Sequence, residues 1–128
     1  MTAGVTYDTG ALVAAERADR LIWAIHTVYL EADVKPVVPA PVLAEAWRGG
    51  AGQARLSRLL RGCAIDPMTE VQALRVGALA AKARRRDVVD VTVVEGALRR
   101  GDTIVTSDPD DLAAIASAAS AHPRIVAI

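Results

Sequence analysis

The chain has 128 residues, an apolar share of 52% but an aromatic share of only 3% with no Phe, and fifteen basic residues against fifteen acidic ones. That length suits a single domain over residues 1–128, able to bury roughly two thirds of its unfolded surface with a core of Val, Leu, Ile and Ala. Balanced charge excludes an overall field that draws the chain to nucleic acid or an anionic membrane, although a local basic patch stays open, and the lone Cys63 excludes an internal disulfide and a cysteine-based zinc site.

Val5-Thr6-Tyr7 predicts a short strand entering a turn at Asp8-Thr9-Gly10, and Ala11 to Arg17 a short helix. From Ala18 to Glu31 the residues Leu21, Ile22, Ile25, Val28 and Tyr29 recur at helical spacing. Trp23, Ala24 and Leu30 carry that apolar surface nearly all round, so this helix is expected to be deeply buried or covered by a partner. Pro36-Val37-Val38-Pro39 is a second strand. Pro41 then opens a helix at its first turn, where a missing backbone donor costs nothing, and the helix runs through Leu43, Glu45 and Trp47 to Arg48. Gly49, Gly50 and Gly52 break it, and Gln53 to Arg61 forms the next helix with Leu56, Leu59 and Leu60 inward.

Cys63-Ala64-Ile65 predicts a third strand stopped by Asp66-Pro67, followed by a helix from Thr69 to Arg85. Val88 to Arg100 pulls two ways. Its valines favour a strand by propensity, whereas its length and the spacing of Val91, Val94 and Leu98 favour a helix, which is the reading adopted. Thr103-Ile104-Val105-Thr106 is the clearest strand, Ser107-Asp108-Pro109 opens a helix through Leu112 and Ile115, and Arg124-Ile125-Val126-Ala127 is a last strand. This alternation predicts a three-layer α/β/α fold around a central, mostly parallel sheet of short strands.

Asp8, Glu45, Asp90 and Asp108 each stand where an apolar stretch meets a turn or a helix start. In open α/β sheets, ligands bind beyond the carboxyl ends of the strands, so folding can gather all four on one rim. Two carboxylates about 4 Å apart repel by roughly 4 kcal/mol at an effective dielectric near 20. Such a cluster calls for cations, and Mg²⁺ or Mn²⁺ suits an all-oxygen site. A water retained by the ion can attack a phosphoryl group, so no Ser, Cys or His nucleophile is needed.

Each acid also has a purely structural reading. Asp108 before Pro109 has the sequence of a helix N-cap, with Asp110 and Asp111 in the first turn. Asp87 can cap the following helix, with Asp90 three residues on. Asp8 can cap the helix after Gly10, and Glu45 falls opposite Leu43 and Trp47, toward solvent.

At these residues the chain resembles the PIN-domain nucleases, and among them the VapC toxins of bacterial toxin–antitoxin pairs. The pieces that carry the likeness are Val5-Thr6-Tyr7-Asp8-Thr9, Val42-Leu43-Ala44-Glu45, Asp87-Val88-Val89-Asp90, and Thr106-Ser107-Asp108-Pro109-Asp110-Asp111-Leu112, with Ala97-Leu98-Arg99-Arg100-Gly101 ahead of the last. The resemblance implies a PIN-like fold and a Mg²⁺- or Mn²⁺-dependent ribonuclease. Asp8 and Asp90 would be the main metal ligands, Glu45 and Asp108 would complete the catalytic acids, and Thr106 would orient a carboxylate or a water. It also implies an RNA substrate and a small cognate antitoxin, in a homodimer or a toxin–antitoxin hetero-oligomer.

Arg55, Arg58 and Arg61 form a stripe on one helix that is a candidate phosphate-contacting edge and equally readable as a solvated face, and Arg84-Arg85-Arg86 just before Asp87 are a second candidate beside the proposed site. His26 and His122 are expected to be structural or exposed, and Trp23 and Trp47 core or interface. A phosphatase or phosphoryl-transfer domain of the aspartyl-phosphate kind is the main alternative, but it wants a second acid two residues after the nucleophile, where Gly10 stands. A catalytically silent interaction module with the same fold is the third reading. No run approaches the ~18 apolar residues of a membrane span, and Asp8 comes before any long apolar run, against a secretory signal. A soluble cytoplasmic protein is expected.

Overall fold

A computed structural model describes residues 3–128. Its strands β1 (Val5–Tyr7), β2 (Val37–Pro39), β3 (Ala64–Asp66), β4 (Thr103–Thr106) and β5 (Ile125–Ala127) form one sheet in the order β3-β2-β1-β4-β5. Every neighbouring pair is parallel, so the mostly parallel sheet expected is parallel throughout. The helices α1 (Thr9–Glu16), α2 (Arg20–Glu31), α3 (Ala40–Ala46), α4 (Ala54–Arg61), α5 (Glu70–Ala83), α6 (Val88–Arg100) and α7 (Pro109–Ala118) supply the crossovers that parallel strands require.

Side-chain alternation along β1 sets what each face of the sheet becomes. Tyr7 points to the α2 side, where its hydroxyl and His26 Nδ1 share a hydrogen bond of 3.0 Å. Thr6 points to the other side, against α6. The central strands β1 and β4 are buried along their whole length, as covered parallel strands must be. Around them the largest fully buried side chains include Leu12, Ile22, Leu56, Leu59, Leu112 and Ile115. Burial depresses the His26 pKa and pushes the Cys63 thiol up to about 12, which disfavours the thiolate.

Residues 88–100 are helical. Val91 through Ala97 are buried without a gap, so α6 shows valines on every side rather than a clean stripe. Asp87 caps its start through Val89 N–H and Asp90 N–H at 3.1 and 3.2 Å. Tertiary burial thus overrides the strand preference of its valines.

An ion network fastens α6 to the sheet. Thr6 Oγ1 donates to Asp102 Oδ2 (2.8 Å), Arg100 Nε donates to the same oxygen (3.0 Å), and the remaining guanidinium nitrogens reach Thr6 Oγ1 (3.0 Å) and Asp66 Oδ2 (2.9 Å). Gly96 leaves room for it, since a Cβ there would meet the Arg100 guanidinium at 2.9 Å. Nothing in the sequence patterning singled out Asp102 or Thr6 for this part.

The deep-burial reading of the helix around Trp23 does not hold. On α2 only Ile22 and His26 are buried, while Leu21, Val28 and Leu30 are exposed, Val28 by 63%. Within the arginine stripe on α4, Arg58 lies 4.6 Å over the Trp23 ring, a cation–π contact, while Arg55 and Arg61 are exposed. No described helix is long and apolar enough to cross a membrane.

Candidate active site

The chain winds outward from β1 through β2 to β3, then restarts at β4 on the other side of β1, so the crossover direction reverses between β1 and β4. At such a switch point adjacent connections diverge and open a crevice at the carboxyl ends. Asp8 follows β1 there, and Ser107 and Asp108 follow β4.

Register brings the two exits together. Tyr7 pairs with Val105, so Asp8 and Thr106 abut. Asp8 N–H donates to the Val105 carbonyl (3.0 Å), Thr106 Oγ1 donates to Asp8 Oδ2 (2.7 Å), and Thr9 N–H donates to Asp8 Oδ1 (2.7 Å). With both oxygens held, Asp8 is 2% exposed. Asp108 N–H donates to Thr106 Oγ1 (2.9 Å), so one hydroxyl ties the Asp8 side chain to the Asp108 backbone. From α3, Glu45 reaches the same place: Thr9 Oγ1 donates to its Oε1 (2.7 Å). Asp90, in the first turn of α6, completes the set.

All four acids line one cleft of about 600 Å³, together with Asp87, Asp111, Gly10 and Ser107. The structural readings of these residues fare unevenly. Asp87 does cap α6. Asp8 does cap α1, but through Thr9 alone. Asp108 occupies the N-cap position of α7 without a side-chain cap bond, which leaves its carboxylate to the cleft. Asp111 pairs with Arg85 at 3.5 Å. Glu45 is exposed, as its helical position suggested, and the exposure is toward the cleft.

Burial and crowding shift two of these acids. Burial raises the Asp8 carboxyl above its usual value; the Thr106 and Thr9 hydrogen bonds oppose this, and the charges of Asp108 and Glu45 add to it. Asp90 is pushed up to about 7, by burial first and then by Asp8, Asp87, Asp108 and Glu45. Surplus negative charge of this kind is what a cation relieves. Among the described residues no group of three His, Cys, Asp or Glu side chains stands close enough to hold a metal ion by itself. The donors are all oxygen, which fits Mg²⁺ or Mn²⁺.

Thr9, Ser107, Arg17 and Asp19 also border the cleft and were not identified as site residues from sequence. A hydroxyl placed directly after a strand-end acid is the signal that could have found Thr9; Arg17 and Asp19 arrive only through the α1–α2 turn. Gly10 is there for contact reasons: a Cβ would collide with the Ser107 side chain and stand 3.1 Å from its backbone nitrogen. Gly10→Ala is therefore expected to push α1 off the β4–α7 turn, costing about 1–3 kcal/mol in urea unfolding, with a parallel loss of any activity of the cleft.

The geometry defines an α/β protein with a carboxylate-lined crevice at its sheet switch point. The PIN domain family model matches residues 5–118, and the chain belongs to that family, whose members are generally metal-dependent nucleases. Its fold is similar to the crystal structure of PAE2754 from Pyrobaculum aerophilum, with a TM-score of 0.67 at 17% identity over 96% of this chain and 83% of that one. No curated protein matches the chain.

Proposed function

We propose that residues 1–128 form a single PIN domain and that it is a Mg²⁺- or Mn²⁺-dependent ribonuclease, the VapC-type toxin of a toxin–antitoxin pair, acting in the cytoplasm. The observation that carries the catalytic part is the meeting of Asp8, Glu45, Asp90 and Asp108 on one cleft, with Asp90 lifted to about 7 by burial and its acidic neighbours. Asp8 and Asp90 are the proposed metal ligands. A divalent ion there supplies Lewis acidity toward a phosphoryl oxygen and makes a water more acidic.

The chain's own residues prepare the rest. Thr106 and Thr9 fix the Asp8 carboxylate, so its orientation need not be found at the moment of reaction. Thr9 fixes one oxygen of Glu45 and leaves the other for a water. Asp108, without a cap bond, is likewise free to orient water. In the reaction, a water oxygen bonds to phosphorus and gives up a proton to a carboxylate of the cleft, the P–O ester bond breaks, and the departing oxygen takes up a proton from solvent. For the toxin role, support comes from apolar side chains on the surface, namely Leu21, Val28 and Leu30 of α2 and Trp47 after α3, which suit burial under an antitoxin helix or a second subunit.

Purified protein is expected to cut structured RNA with Mg²⁺ or Mn²⁺ and to stop when the ions are chelated. Undiminished cleavage in excess chelator would overturn the metal-dependent reading.

A further inference from the structure

We infer that Arg17 grips an RNA phosphate flanking the one hydrolysed, and so positions the strand; this rests on the ribonuclease reading above. Phosphodiester chains carry one negative charge per residue, and the cleft they would enter is walled by carboxylates. A divalent ion offsets that repulsion at the acids but leaves the neighbouring phosphates facing bare negative charge. Among the described residues lining the cleft, Arg17 is the one arginine or lysine.

Its guanidinium is also uncommitted. Arg17 is exposed and has no carboxylate partner among the described residues, whereas Arg85 is paired with Asp111, Arg99 and Arg100 with Asp66, and Arg58 with the Trp23 ring. Asp19, the nearest acid in sequence, accepts instead from Leu21 N–H (2.9 Å) and Ile22 N–H (3.4 Å). The backbone of Arg17 is pinned, its N–H donating to the Val13 carbonyl (3.1 Å) at the end of α1. The eight residues of α1 span about 12 Å, so Arg17 enters the cleft from the end of that helix opposite Asp8. A planar guanidinium can hold a phosphate through two parallel N–H bonds, which an ammonium cannot.

The test is fluorescence anisotropy of a phosphorothioate RNA oligonucleotide, which keeps the charge of each linkage and resists cutting, with Mg²⁺ across a salt series. Arg17→Ala is expected to weaken binding about tenfold and to lower the salt-dependence slope by about 0.7. Arg17→Lys should restore the slope and only part of the affinity. Lys35→Ala, which removes one charge ahead of β2 on the opposite rim, should change neither. In turnover of ordinary RNA, Arg17→Ala should raise KM with kcat nearly unchanged. Wild type binding well while Arg17→Ala matches Lys35→Ala in affinity and slope would overturn the inference and leave the ribonuclease reading intact. A fall in kcat at unchanged affinity would overturn it too, as a sign of a merely structural role. Absence of binding by the wild type would remove both.

Discussion

An Asp90→Asn protein is expected to lose more than ~100-fold in RNA cleavage and yet, without divalent ions, to unfold at a higher temperature than the wild type. The activity figure follows because loss of a group that only supports a metal ligand costs about 10–100-fold, and a ligand itself should cost more. The stability figure has the opposite sign for an electrostatic reason. Folding raises the Asp90 pKa from 3.8 to about 7, first by burial and then by the charges of Asp8, Asp87, Asp108 and Glu45. The folded state therefore holds this proton more tightly than the unfolded chain does. The stability it contributes is complete below the unfolded value and is lost as pH rises through about 7. Asp8 is shifted the same way. Metal-free wild type should accordingly weaken between about pH 4 and pH 7, Asp90→Asn should weaken less, and Mg²⁺ should rescue the wild type alone. Equal melting temperatures of the two proteins across that range would show that the site stores no such repulsion.

Arg100→Ala should be among the most destabilising single changes in the chain, by about 3–5 kcal/mol. Three groups depend on its guanidinium: the buried Asp102 carboxylate, the buried Thr6 hydroxyl and the Asp66 carboxylate at the end of β3. Asp102 would keep only the Thr6 hydroxyl as a partner, an ionised group with almost no access to water. Breaking one half of a buried pair costs more than the pair itself is worth, so the double variant Arg100→Met with Asp102→Asn should recover much of the loss. Urea unfolding of the single and double variants checks this. A single variant within about 1 kcal/mol of wild type would show that the network is well solvated and contributes little.

The fold could be read in the sequence wherever an element depends on local patterning. Thr103–Thr106 is an unbroken run of β-branched residues before a turn, Val5–Tyr7 runs into an acid and a glycine, and both are strands within those limits. The acids were found because each breaks an apolar run at a strand exit or helix start. What pattern could not supply is which strands lie side by side. The neighbouring of β1 and β4 is what lets Thr106 donate to Asp8, ninety-eight residues away in the chain. Glu45 was expected on the rim with the other acids, while its helical position alone put it toward solvent; both hold, because α3 sits so that its exposed side meets Thr9 at the cleft. For α2 the apolar residues all round left burial or a covering partner open; burial reaches only Ile22 and His26, so the first of the two is excluded and the rest of the apolar surface faces outward.

The most direct measurement is anomalous diffraction from crystals of the protein grown or soaked with Mn²⁺. One peak or two close together should lie in the cleft at the carboxyl rim, with Asp8 and Asp90 supplying protein oxygens. Manganese bound only elsewhere, or a cleft left empty at saturating Mn²⁺ while RNA is still cut, would contradict the proposal that these carboxylates act by holding a cation.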